Sequence, residues 1–336
     1  MTQRQAVSVA TILGMVVLVL LLVVCHPFSW GSELEVAVTG TSVSEAAVSG
    51  SGVSGTAVSG GAVLSGSAKG FYSSSVTGGA VTGSAIAIGS GNTLVTRIAM
   101  PDGYVRTEDT QDSLAYFLRN YPLRKDKSKV KLYDGSYKVN QDAHVAIFKL
   151  PLEKENLQQC ADSIIRVYAE YYYKTGQYDK IVFRFVDGFE ADYSKWRAGA
   201  RIEVGANGAQ WTDGTAADES YAAFKKYLRM VFSYANTTSL KSEFTATDIS
   251  RMQIGDIFLQ DGSSGHVVMV ADLCENAEGK KAFLLAQGST PAQQFHVLKN
   301  PAHEDDPWYY EEELTYPLKT PEFTFQEGSL MHRNDG

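Results

Sequence analysis

Cysteine is scarce in this chain: three residues in 336, at positions 25, 160 and 274. That excludes a disulfide-stapled scaffold and leaves one bridge arithmetically open beyond the N-terminus, Cys160 to Cys274. Histidine is nearly as rare, with six residues, and positions 255–296 hold no His, Cys and acid set at zinc spacing, so no metal is expected. No phosphate-loop glycine pattern occurs, and no cofactor is expected. Long runs of like charge are missing, and the formal net charge is -8. This balance argues against a nucleic-acid partner, since phosphate contacts call for a basic face, but leaves room for a small local basic patch.

The longest apolar run is Ala6–Cys25, uncharged, preceded by Arg4 and followed by Glu33 and Glu35. At ~1.5 Å per residue it reaches roughly 30 Å, enough for a bilayer core. The first 30 residues therefore read as a signal anchor in the cell membrane, with Arg4 inside and the rest of the chain extracytoplasmic. A cleaved signal peptide, and secretion, is the alternative, and a lipidated Cys25 a third reading. Residues 31–94 read as a linker. Within 41–90, 11 Gly and 13 Ser accompany one Glu and one Lys, too little apolar surface to offset ordering entropy, so a disordered tether is expected.

From residue 95 to 336 the composition is that of a single globular domain. A helix is expected over Gln111–Asn120, stopped by Pro122, and a strand over His144–Leu150. A second helix is expected after Asn156 as N-cap, with Leu157, Cys160, Ala161, Ile164, Tyr168 and Tyr171 on its apolar face and Gly176 at its end. Ile181–Val186 is a strand candidate. A third helix runs over Asp218–Tyr234, with Tyr221, Phe224, Leu228 and Val231 inward. Strand-like runs follow at Asp256–Leu259, His266–Asp272, Lys281–Gln287 and Gln294–Leu298. Helices first and antiparallel strands afterwards give the α+β class.

The chemistry is carried by Cys160 and His266. A cysteine in the first turn of a helix lies in a field that favours thiolate, and a histidine at the mouth of a buried strand can take its proton. Each also has a plain reading, as a buried core cysteine and a satisfied core histidine. Gln287, ending the run opposite His266, can orient the imidazole, with His296 one strand later as competitor. Gln159 and backbone N–H groups at the helix start are candidate oxyanion donors, and His144 a candidate cleft residue. Asp256 is expected to brace the Gly255 turn. Tyr171–Tyr173 with Trp196, Trp211 and Trp308 form either a stacking wall for a ligand or ordinary packing. Arg197 and Arg201 are candidate carboxylate binders.

Gln159-Cys160 at a helix start, Gly255-Asp256-Ile-Phe258 and Gly265-His266-Val-Val-Met-Val270 together resemble the papain-like hydrolases of the NlpC and CHAP type. Those families are cysteine peptidases or amidases, many acting on peptidoglycan. The resemblance implies Cys160 as nucleophile, His266 as base and Gln287 as third residue, with an insertion around 187–234. A glutamine in that third place departs from the usual His, Asn or acid. The chain also resembles a bacterial family catalogued as domain of unknown function 4846. That likeness rests on Pro101-x-Gly-Tyr-x-Arg106, Lys138-x-Asn-Gln141, Leu157-Gln-Gln-Cys-Ala-Asp162, Leu284-Leu-Ala-Gln287 and Pro307-Trp-Tyr309. The reading is a membrane-tethered thiol hydrolase of envelope peptides. A non-catalytic wall- or peptide-binding module on the same fold is the alternative.

Overall fold

A computed structural model describes residues 85–262 and 264–334. The expected anchor and most of the expected linker lie outside them; within them no helix is long and apolar enough to cross a membrane. Residues 86–94, assigned to the linker on composition, pack on the domain: Ile86 N–H donates to Asp305 O at 3.0 Å, and Ile88 pairs with Ile98.

The domain is mixed α and β with antiparallel sheets. Its helices are α1 (Leu94–Arg97), α2 (Leu114–Asn120), α3 (Cys160–Lys174), α4 (Tyr193–Arg197), α5 (Tyr221–Tyr234) and α6 (Thr237–Lys241). The strands are β1 (Tyr104–Arg106), β2 (His144–Ile147), β3 (Val182–Arg184), β4 (Glu190–Asp192), β5 (Arg201–Gly205), β6 (Gly208–Thr212), β7 (Phe244–Ala246) and β8 (Ile257–Gln260). They continue as β9 (His266–Asn276), β10 (Lys281–Gln287), β11 (His296–Leu298), β12 (Tyr309–Tyr310), β13 (Leu318–Lys319), β14 (Thr324–Phe325) and β15 (Leu330–Arg333). The main sheet runs β2-β11-β10-β9-β8-β15-β7, and β1 and β12 extend the far ends of β9 and β10. The expected insertion holds β4, α4, the β5–β6 hairpin and α5.

Strands β9 and β10 read as continuous apolar runs because both their faces are covered. Alternation splits them: Val267, Met269 and Ala271 share one core with Ile164 and Tyr168 of α3, while Val268 and Val270 share another with Phe258, Phe283 and Phe325. By the same parity His266, Gln287 and His296 belong to the second face, beneath the β13–β14 hairpin. Arg106 of the sequence motif is spent on structure. Its Nε meets the fully buried Asp272 at 2.7 Å, as does Nε of Arg119.

Three helix starts differ from expectation. Helix α2 begins at Leu114 rather than Gln111, behind Ser113, whose Oγ accepts Tyr116 N–H at 3.1 Å. Ser220, not Asp218, caps α5 through Oγ to Ala223 N–H (3.1 Å), and Tyr221 turns outward to Glu170 (2.6 Å) while Phe224, Leu228 and Val231 go inward. Helix α3 starts at Cys160 behind Gln159 rather than after Asn156. Asn156 Oδ1 instead accepts Ala292 N–H at 2.7 Å, a tertiary partner that outcompetes the local cap. The aromatic and arginine candidates are packed in the domain. Trp308 is fully buried and Trp196 nearly so; Arg201 lies over Trp196 (4.6 Å) and Arg197 pairs with Glu219 (2.7 Å).

Candidate functional site

The site is built where the start of α3 meets the ends of β9 and β10. Gln159 N–H donates to Asp162 Oδ2 (3.0 Å), which fixes Cys160 as the first helical residue. The helix then sits tight on the turn after β10. A Cβ on Gly288 would stand 2.0 Å from Ser163 Oγ and 3.1 Å from Gln159 O, so only glycine permits this approach. Gln159 reaches the same turn, its Oε1 accepting from Thr290 Oγ1 at 3.0 Å.

The β9–β10 ladder ends at Ala286 and Met269. Beyond that end the Cys160 thiol lies against the backbone N–H of Val267, as well as those of Cys160 and Ala161. Three N–H groups favour a thiolate, but burial outweighs them and pushes the thiol up to about 11. Cys160 is 8 % and His266 7 % exposed. No hydrogen bond joins the two side chains; the thiol rests one residue from His266, on Val267. Cys160 and Cys274 are both free thiols.

On the other side of the seam the polar groups form a chain. His266 Nε2 lies 2.7 Å from Gln287 Oε1, and Gln287 Nε2 donates to Glu322 Oε2 at 2.8 Å. Because the amide nitrogen is committed to the carboxylate, its oxygen faces the imidazole, which assigns the proton to His266 Nε2 and leaves Nδ1 as an acceptor. Glu322 also pairs with the Lys138 ammonium and takes Asn140 Nδ2 at 3.3 Å. Lys138 Nζ is 3.4 Å from His296 Nε2, and His296 Nδ1–H donates to Gln294 O at 2.7 Å. Burial pulls His266 below its ordinary value, against the Gln287 bond and the Glu322 charge, and pulls His296 far below. Phe323 and Phe325 pack on the His266 ring at 5.0 and 6.2 Å.

Of the sequence candidates, Cys160, Gln159, His266, Gln287 and His296 converge on this end of the sheet. His144 sits apart from the seam, its Nε2 on Ser128 O at 3.0 Å, and touches the network through its ring, 5.9 Å from that of His296. Asp256 braces its turn as expected, accepting Gln253 N–H (2.9 Å), and also meets His332 Nδ1 at 2.6 Å. Glu322, Lys138 and Asp162 were missed. Glu322 comes from a two-residue-stranded hairpin with no periodic signal. The capping geometry of Asp162 was legible only once the helix start was placed correctly. Burial pushes the Asp162 carboxyl up to about 8, so it stands neutral beside the thiol near neutral pH.

The family model described as "Domain of unknown function (4846)" matches residues 94–332. The chain belongs to this family. No curated protein and no solved structure matches it. The match spans every residue of the seam and network, so the site lies wholly within the family's domain.

Proposed function

We propose that the domain is a papain-like thiol hydrolase acting on an amide bond, with an extracytoplasmic cell-wall peptide as substrate class and the N-terminal segment as its membrane tether. The observation that carries this reading is the His266–Gln287–Glu322 chain at the start of β9, with a helix-start cysteine against the opposite face of that strand at Val267. A glutamine replaces the usual third residue, and Glu322 supplies the carboxylate behind it.

In this mechanism Cys160 rotates from Val267 N–H toward His266 Nδ1. The thiol proton passes to Nδ1 as sulfur attacks the carbonyl carbon, and the oxyanion takes N–H bonds at the start of α3, with Gln159 beside it. The C–N bond then breaks as His266 protonates the leaving amine. Water, deprotonated by His266, releases the acid and restores the thiol. A raised thiol and a lowered imidazole make the resting pair neutral, so the proton moves during attack rather than before it.

A non-catalytic peptide-binding module is the second reading, favoured by the burial of Cys160. Incubation of the full chain with cell-wall muropeptides, read by mass spectrometry, separates the two. Cleavage abolished by Cys160→Ala supports the hydrolase. Retention of intact muropeptide, unchanged by Cys160→Ala, supports the module.

A further inference from the structure

A cavity of about 490 Å³ opens beside β2, and cations dominate its lining. Arg97, Lys125, Lys127, Lys129 and Lys299 line it, with Asp126 the one carboxylate among the lining residues. None of the five cations lies within ion-pair distance of a carboxylate among the described residues. The cluster is set in a chain of net charge -8.

Arg97 is the anchor. It is 3 % exposed, and its Nε is held by Gly91 O at 2.6 Å, which fixes the guanidinium plane. Its two terminal nitrogens make no hydrogen bond among the described residues. A guanidinium held at one edge, with its fork open to the cavity and Asp126 the nearest carboxylate on its lining, is placed to grip an anion in bidentate fashion. Around it the chain Arg124-Lys-Asp-Lys-Ser-Lys129 places lysines at alternate positions, with Lys127 in the left-handed region (φ 58°), so Lys125, Lys127 and Lys129 all line the cavity, the Lys129 ammonium lying over the Tyr137 ring (5.8 Å). One planar fork and several point charges suit an anion with three or more oxygens and more than one negative charge.

We infer that this cavity binds a phosphate group, Arg97 gripping two oxygens and Lys125, Lys127 and Lys299 neutralising the charge. The inference is independent of the thiol reading, since the cavity shares none of Cys160, His266, Gln287 and Glu322. The phosphate belongs either to a soluble phosphoester or to a lipid headgroup.

The test is calorimetric titration of the full chain with glycerol 1-phosphate, and co-sedimentation with phosphatidylcholine vesicles with and without phosphatidylglycerol. The comparison protein carries Lys125→Ala with Lys127→Ala, both exposed, with side chains in no hydrogen bond or ion pair among the described residues. Saturable binding of glycerol 1-phosphate, weakened roughly tenfold or more in the double variant and lost at about 1 M salt, supports the site with a soluble phosphoester. Phosphatidylglycerol-dependent sedimentation that falls in the variant supports the site with a lipid headgroup, whatever sedimentation the N-terminal segment gives both proteins. Absence of binding in both assays, or binding that the double variant retains in full, overturns the inference.

Discussion

The two walls of the candidate site are built differently. On the strand wall, the Gln287 amide is used at both ends, His296 at both nitrogens and Glu322 at both oxygens. On the helix wall, Gln158 Oε1, Asp162 Oδ1 and Ser163 Oγ are buried with no protein partner, within a few residues of Cys160. Buried polar atoms are normally paired, so a cluster of exceptions marks a place where stability has been given up. The contrast teaches that His266 is held in one orientation, while the polar atoms around Cys160 are left without partners. That is the arrangement a closed thiol needs if it must swing from Val267 to His266.

Breaking the strand wall has the largest expected effect. Glu322→Ala leaves the Lys138 ammonium buried without its counter-ion and frees the Gln287 amide to rotate, so His266 loses its fixed tautomer. Modification of Cys160 at neutral pH should fall roughly tenfold to a hundredfold, by analogy with removal of partners that orient a reactive histidine. The ¹⁵N imidazole signals of His266 should shift away from the Nε2–H pattern. Unchanged signals would show that Glu322 does not orient the base.

A smaller effect is expected where the walls touch. Gly288→Ala drives a methyl into Ser163 and the Gln159 carbonyl, and should destabilise the domain by about 1–3 kcal/mol in denaturant unfolding. A larger loss of thiol reactivity than of stability would show that the helix start itself has moved.

Sharpening the helix wall gives the smallest effect. Asp162 has a folded pKa of about 8, raised from 3.8, so the fold favours its protonated form. Its contribution to stability is full below the unfolded value and is lost as pH rises through about 8. Asp162→Asn keeps an oxygen for Gln159 N–H and removes the titration. Its melting temperature should exceed that of the parent by roughly 3–6 °C at alkaline pH and match it near pH 4. Equal melting curves across that range would show that the carboxyl is not held neutral.

How much of this was legible in the sequence follows from locality. Strand β10 fell where expected, residue for residue, because a short apolar run between turns has few other options. The ends of α2 and α3 were also readable, since Pro122 and Gly176 act locally. The meeting of His266 and Gln287 followed from antiparallel pairing of neighbouring strands. The start of α3 was misplaced because Asn156, a good cap by type, is claimed by Ala292 from across the fold. The inward face of α5 was wrong at Tyr221, whose hydroxyl bonds Glu170 and lets the ring sit at the surface. Glu322 had no signal, and Lys138 stood only in a family motif with no role attached: they meet across 184 positions, and nothing local announces the contact. Likewise the basic cavity assembles Arg97, the 125–129 segment and Lys299, and only the segment is visible as a pattern.

The most direct test of the central claim is the pH dependence of Cys160 modification by iodoacetamide in the full chain, resolved by peptide mapping, with and without His266→Ala. The thiol stands raised to about 11 and the imidazole below its ordinary value. If His266 takes the thiol proton, the rate rises as the imidazole deprotonates below about pH 6.5, holds a plateau through neutrality, and rises again toward 11. His266→Ala should erase the plateau and keep the alkaline rise. A single rise near 11 in both proteins would contradict the account and make Cys160 a buried structural thiol.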